Sequence, residues 1–435
     1  MSTAPEQWLV QEQVSLQSRS RSLMPFKRFV QPPIKGYPVV TFAFTKNCRS
    51  YSSMPVYLDY HAHSPIDPRV LDAFVSACRL FDANPHSAHL HGSAAYKAVE
   101  EGRISVGDLL GAKPSEIVFT SGATEANNLA LLGLEDFLRK QGRSRVAISS
   151  IEHPSILQAA AALGERGFVV DILPVNRDGL IDLEVASKII THETGVVSVS
   201  AANHEIGVIQ PIERISTIAR ACGAIFHSDL AQMAGKRPVS LEALDLASFS
   251  GHKLCGPAGI GALYVKRLIK PKIKPLLIGG GQESGVRSGT VPAALCIAFG
   301  EACAIAAKEM FSESSRITKL RDNLLEQLLK LPGSQVNGSL DARLPGNINI
   351  RFDDVDGEAL AFSLQSQISI STGSACNARS LEPSAVLLAM GLTKPQAESS
   401  VRIGIGRFTT QEEIDEAARA MRTAVIELRA IRSRL

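Results

Sequence analysis

The sequence is short of aromatic side chains, of cysteine and of long apolar runs, and each shortage excludes a class of function. Phe, Tyr and Trp make up 5% of the 435 residues, with a single Trp. With a net charge of only +3, this leaves no electrostatic or stacking case for nucleic-acid binding. The best apolar stretch, 291–307, is interrupted by Glu301, so no membrane-spanning helix is expected. Seven cysteines stand scattered, an odd number without a C-x-x-C pair. They make neither a secreted disulfide framework nor a zinc site, and a reducing compartment suits them. A cysteine with a task here works as a single thiolate.

Acidic residues are scarce in one place. Residues 1–53 hold seven basic residues (Arg19, Arg21, Lys27, Arg28, Lys35, Lys46, Arg49) against Glu6 and Glu12, so residues 54–435 sum to −2. This Ser- and Arg-rich composition is that of a mitochondrial transit peptide, and the run RSYSS at 49–53 resembles a processing site. Alternatively the protein proper starts at Met54, where MPVYLDY opens into ordered sequence. Residues 1–30 show no clean amphipathic helix, which favours the second reading and a cytoplasmic location over the mitochondrial matrix. On either reading residues 1–53 are an extension outside the fold.

Past Met54, short apolar runs alternate with helical patterns. Strand-like runs lie at 117–119, 145–149, 168–173, 195–201, 224–228, 246–250 and 260–265. Helical stretches at 125–140, 154–166 and 211–222 separate several of them. The alternation predicts an α/β large domain over 64–305, with right-handed crossovers and a mainly parallel sheet covered by helices on both faces. After about 305 come a charged helix near 301–331, a strand at 347–352, a helix at 357–366, a Gly/Ser-rich turn at 371–375 and a last helix from about 410. Residues 54–63 and 306–435 are assigned to a smaller α+β domain.

Several strand ends carry chemistry. Lys253, in SGHK at 250–253, follows an apolar strand, where an ammonium is costly to desolvate unless paired or used covalently. Burial lowers a lysine's pKa and frees the amine to attack an aldehyde, although a lone lysine at a strand exit is more often a surface residue. Asp229 ends the run 224–228, where a carboxylate faces the ligand crevice of a parallel sheet. It either holds a pyridinium nitrogen protonated or caps the next helix. The segment Thr120-Ser-Gly-Ala-Thr124 leads a strand into a helix, offering free N–H groups, hydroxyls and the positive dipole end to a phosphate. An ordinary cap would use one of those hydroxyls. His153 follows strand 145–149, placed to stack on a flat ring and move protons, or to serve structure alone. Cys376, in STGSAC, sits among small residues rather than in the apolar packing of an inert thiol, although a free cysteine is more often structural than catalytic.

In this order the segments resemble the cysteine desulfurases, fold-type I (class V aminotransferase-like) enzymes that use pyridoxal 5'-phosphate (PLP). The resemblance runs from Tyr57 to about Arg429. It includes TSGATEANNLA (120–130), SGHK (250–253), GGGQESGVRSGT (279–290), STGSAC (371–376), SLEPS (380–384) and GRFTT (406–410). It implies that Lys253 carries the cofactor, Asp229 pairs with its ring nitrogen, Gln232 bonds its phenolate, and His153 stacks on the ring and shuttles protons. Ala123, Thr124, Ser250 and His252 would hold the phosphate. Thr290 would reach the phosphate in the neighbouring subunit, which implies a homodimer. Arg402 would fix the substrate carboxylate, a task suited to a planar fork. Cys376 would take sulfur from L-cysteine as a persulfide, leaving L-alanine, and pass it to a protein acceptor for iron–sulfur cluster assembly or thiolation.

The chain departs from the family pattern at three places. His204 stands before Glu205 where asparagine is usual, at a position that contacts the ring oxygen. Cys255 replaces a tyrosine, and His61-Ala-His63 replaces a small-hydroxyl run. These histidines, with His86, His89 and His91, are not read as a metal site, because the family carries similar histidines without metal. The sequence given ends at Leu435, short of the family's longer tail that docks iron–sulfur scaffolds, which leaves the acceptor open. A selenocysteine lyase shares most of this site. A catalytically silent partner protein would not need Lys253, Asp229, Gln232, Arg402 and Cys376 together.

Overall fold

The computed structural model describes residues 54–373 and 382–433. The described chain opens on a two-residue strand, β1 (Val56–Tyr57), and the helices α1 (Pro68–Leu80) and α2 (Leu90–Leu110). The main sheet then uses β2 (Ile117–Thr120), β3 (Arg145–Ser149), β4 (Val169–Leu173) and β5 (Thr194–Ser198). It is completed by β6 (Ile225–Asp229), β7 (Leu246–Ser250) and β8 (Gly261–Val265). The spatial order is β2-β8-β7-β6-β5-β3-β4, and only β8 runs antiparallel to its neighbours. Its direction has a simple cause: segment 251–260 joins it to β7, too short to hold a crossover helix.

Both faces of this sheet are buried. Phe119, Ala147, Val197, Phe226, Ala247 and Ala262 point to one face, against α1, α2 and three later helices. Those three are α6 (Leu183–Ile189), α7 (Ile212–Ala221) and α8 (Ala293–Leu329), introduced here after the opposite layer's α3 (Ala123–Leu132), α4 (Glu135–Lys140) and α5 (Pro154–Glu165). The residues next in sequence, Val118, Val146, Ile148, Val196, Ile225, Leu246 and Leu263, point to the α3–α5 layer. Alternation with period two, apolar on both sides, is why each strand reads as an unbroken apolar run.

Two helices differ from the sequence reading. The stretch 125–140 is broken into α3 and α4 near Gly133, where a Cβ would meet the Leu129 carbonyl and lie 2.8 Å from Ile273 Cγ2. The helix expected near 301–331 begins at Ala293, because its buried first turns, including Cys296, Ala298 and Phe299, carry no polar face to reveal a helical period.

The remaining elements make a second layer pair. β9 (Ser334–Val336), β10 (Asn347–Phe352) and, past α9 (Gly357–Leu364) and β11 (Ile368–Ser369), β12 (Ser400–Gly404) supply the strands. β10 lies between β12 and β9 in an antiparallel sheet, and β1 pairs in parallel with β11. The short helices α10 (Ala385–Ala389) and α11 (Lys394–Glu398) precede β12, and α12 (Gln411–Arg432) follows it. Ile348, Ile350, Val401 and Ile403 form a core with Leu58, Leu324 of α8 and Met421 of α12.

Candidate active site

The strands β2, β3, β5, β6 and β7 run in one direction, so their carboxyl ends share one edge, where a cavity of about 450 Å³ opens. That is the usual place and size for a small-molecule site in such a sheet. Asp229, the last residue of β6, is 6% exposed at this edge. Its Oδ1 accepts the Ala231 N–H at 2.8 Å and its Oδ2 accepts from Asn127 Nδ2 at 2.7 Å. The carboxylate therefore caps the following turn rather than a helix, and it also borders the cavity. Gln232, in the next turn, is paired twice with His61: Oε1 lies 3.1 Å from His61 Nδ1, and Nε2 donates to the His61 carbonyl at 3.1 Å.

Ser250 ends β7, and its Oγ lies 2.7 Å from His252 Nδ1. Burial, and then the Lys253 ammonium, pull the His252 pKa down to about 4. Lys253 itself borders the cavity, donating to the Ala62 carbonyl at 2.7 Å and to that of His61. Opposite stands the start of α3, with Ala123 and Thr124 on the cavity wall. Gly122 enters this helix at φ 154°, ψ −179°, a conformation that glycine alone adopts readily. The turn puts the unpaired N–H groups of the first helical residues against the cavity.

His153 accepts the Ser155 N–H at 3.1 Å through Nδ1 and caps α5. It also meets His204 edge to face, with ring centroids 5.2 Å apart. Burial lowers the pKa of both rings; Lys253 adds to the effect on each, and Asp229 opposes it at His153. Arg402, in β12, is brought to the same cavity but is already engaged. Its Nη2 pairs with Asp59 Oδ1 at 2.8 Å and its Nη1 donates to the His204 carbonyl at 3.1 Å, while Nε has no partner. Glu205, between these elements, accepts from Ser384 Oγ at 2.7 Å, and burial pushes its pKa up to about 7.

Thr290 is exposed and does not line this cavity. Cys376 lies outside the described residues, as do residues 374 and 375 of the turn and the first two residues of SLEPS. Cys255, beside Lys253, is buried at φ 56°, and burial raises its thiol pKa to about 11.

The aminotransferase class-V family matches residues 56–417. A mitochondrial cysteine desulfurase of Arabidopsis thaliana is 46% identical over 383 residues, 87% of this chain and 84% of the relative. The chain belongs to the cysteine desulfurase family. Cysteine desulfurase IscS of Rickettsia bellii is 44% identical over 380 residues, 86% of this chain and 92% of its own. A solved structure titled NifS-like protein superposes with a TM-score of 0.79 at 34% identity, covering 88% of this chain and all of the other.

In this desulfurase-family chain the sequence reading missed the residues that hold the site's own side chains. Asn127 ties Asp229 to Ser155 and keeps a buried Oδ1 without a partner. Asp59 holds Arg402, and His61 holds Gln232. Asn127 had a signal, since it faces the same way as Ala123 one turn earlier on the helix that opens the phosphate cradle. Asp59 had none, and His61 stood out only as a departure from the family pattern, because the contacts they make are 343 and 171 residues away in sequence.

Proposed function

We propose that this chain removes sulfur from L-cysteine, with PLP held covalently by Lys253 and Cys376 as the sulfur acceptor. The observation that carries the reading is one cavity lined by Lys253, Asp229, Gln232, His153 and the α3 N-terminus. The residues present fit such a cofactor. Asp229 offers a carboxylate to a ring nitrogen, and the orphaned Asn127 Oδ1 beside it is a further acceptor. The α3 N–H groups, Thr124, Ser250 and His252 supply the donors a phosphate needs. When bound, PLP supplies an electron sink for the pair left at the substrate α-carbon.

The chain's own residues do the rest. With that group bound, Asp229 would keep a proton on its ring nitrogen, Arg402 would orient the substrate carboxylate, and His153 would carry a proton. Net, the carbon–sulfur bond of cysteine breaks, an S–S bond forms on Cys376 Sγ, and the thiol hydrogen given up there ends on the carbon of alanine. Atoms and electrons balance without an outside oxidant. The product persulfide passes to a protein acceptor, which in the iron–sulfur role is a cluster-assembly scaffold. We further propose a homodimer in which exposed Thr290 serves the neighbouring subunit's phosphate, and a division into a large domain over 64–305 and a smaller one over 54–63 and 306–435. The mitochondrial name of the Arabidopsis relative supports residues 1–53 as a transit peptide rather than a start at Met54.

Mass spectrometry after incubation with L-cysteine tests the reading. The peptide containing Cys376 is expected to gain one sulfur atom, with alanine formed alongside. Cys376→Ser should keep the cofactor and lose both products, because a serine hydroxyl is too weakly ionised to attack sulfur, whereas a thiol near pKa ~8.5 needs a modest shift. Lys253→Ala should lose the borohydride-reducible cofactor link. Near-normal alanine from Cys376→Ser, or a reducible cofactor in Lys253→Ala, would overturn the assignment. Comparing turnover of selenocysteine and cysteine separates this reading from a selenocysteine lyase.

A further inference from the structure

Glu205 stands on a turn that is fixed from two sides. Asn203 Oδ1 accepts the Glu205 N–H at 2.8 Å and the Ile206 N–H at 2.9 Å, and the Gly207 N–H returns to the Asn203 carbonyl at 3.0 Å. From β10, Asn347 Nδ2 donates to the Glu205 carbonyl at 3.1 Å. The buried side chain is therefore aimed from a rigid base. Its chain neighbour His204 lines the cavity, whereas Glu205 does not.

The carboxyl reaches both flanks of the segment that carries Cys376. On the leading flank Ser371 exchanges hydrogen bonds with Arg402 of β12, its N–H donating at 3.1 Å and its carbonyl accepting at 2.7 Å. Gly373, two residues on, packs against Glu205: a Cβ there would collide with Oε1 and lie 2.8 Å from Ser384 Cβ. On the trailing flank Ser384 Oγ donates to Glu205 Oε2 at 2.7 Å and accepts the Leu387 N–H of α10 at 3.2 Å. Capping of α10 would account for Ser384 by itself. It gives no reason for the carboxyl to lie against Gly373.

We infer that Glu205 is a positioning residue for the sulfur transfer: by gripping Gly373 and Ser384 it holds the two flanks of segment 374–383 and so sets where Cys376 Sγ is presented. The inference rests on the desulfurase reading, in which that thiol must meet the sulfur of L-cysteine. A thiol carried between two flanks is placed only as well as they are, and misplacement by about 1 Å costs a reaction on the order of a hundredfold. Each partner has a physical reason for its identity. The Ser384 hydroxyl needs a buried acceptor, and only a residue without a side chain lets the backbone at 373 close on the carboxyl.

The test uses the holoenzyme and three variants: Glu205→Ala, Glu205→Gln, which keeps an acceptor for Ser384, and Gly373→Ala, which forces the flank off the carboxyl. Melting temperature checks folding; if Glu205→Ala is not folded, Gly373→Ala decides. The two alanine variants should each lower kcat at least about tenfold, with KM for L-cysteine within about twofold and the visible absorption of the bound cofactor unchanged. Glu205→Gln should keep kcat within about threefold. A readout independent of turnover is tryptic cleavage after Arg379, followed well below the melting temperature. It should quicken at least about threefold in Glu205→Ala and not in Glu205→Gln. The losses in kcat should not add in the double variant, since both substitutions act on one contact. Unchanged cleavage after Arg379, kcat of folded Glu205→Ala within about twofold of the parent, additive losses, or Glu205→Gln as impaired as Glu205→Ala would each overturn the inference. Failure of the desulfurase reading is distinguishable, because the unaltered enzyme would then form no persulfide on Cys376.

Discussion

Glu152, the chain neighbour of His153, is 2% exposed and accepts the Ser200 N–H at 2.8 Å and the Ser200 hydroxyl. Burial pushes its pKa from the ordinary 4.5 to about 8; the Ser200 bonds oppose the shift and the charge of Asp229 adds to it. A raised acid binds more protons folded than unfolded. Its contribution is complete below pH 4.5 and is lost as pH rises toward about 8. Glu152→Gln keeps an acceptor for the Ser200 N–H and removes the titration. Melting curves between about pH 5 and 9 should show the parent protein losing stability as pH rises, by on the order of a few kcal/mol, and the variant losing less. Parallel curves would mean that Glu152 is charged throughout. Residues of this kind were invisible in the sequence. Lys253, Asp229 and His153 were legible because each ends or follows an apolar strand. Glu152 and Asp59 hold groups far away in sequence, and such contacts are set only when the fold closes.

Among the elements, the contact of α2 with α8 turns on two glycines. A Cβ at Gly300 would lie 2.5 Å from Gly102 Cα, and one at Gly102 would lie 2.7 Å from the Cys296 carbonyl. The obstacles are backbone atoms, which cannot turn aside as a side chain can. Gly300→Ala should therefore destabilise by about 1–3 kcal/mol despite alanine's better helix propensity. Gly164, in α5, is the internal contrast, since a Cβ there meets only Val170 Cγ2 at 3.5 Å. Gly164→Ala should be neutral or stabilising by up to about 1 kcal/mol. Urea denaturation of the two variants decides the matter, and equal midpoints would deny the close helix approach. The strands themselves were readable because both sheet faces are buried. The reversed direction of β8 was not, since an apolar run is the same read either way; only the short segment 251–260 betrays it.

For the whole molecule, the three largest described cores draw on residues from Val56 onward: one on each face of the main sheet, and one between β10, β12, α8 and α12. Residues 1–53 are rich in Arg and Ser and poor in acid, the composition of an address rather than of packed structure. If stability resides in those cores, a chain beginning at Met54 should fold, bind PLP and release alanine from L-cysteine like the full chain. Its melting temperature should lie within about 2 °C, since at this size about 1 kcal/mol moves the midpoint by roughly that much. Deletion alone does not separate a transit peptide from a mis-assigned start, because both leave the same folded body. The second measurement is the amino-terminal sequence of the protein isolated from its own cells, together with the location of the full chain carrying a fluorescent tag at its far end. A transit peptide gives mitochondrial signal and a new amino terminus close to the run 49–53, whereas a start at Met54 gives diffuse signal. A large loss of stability or cofactor on truncation would mean that residues 1–53 are part of the working enzyme, and both readings of that segment would fall.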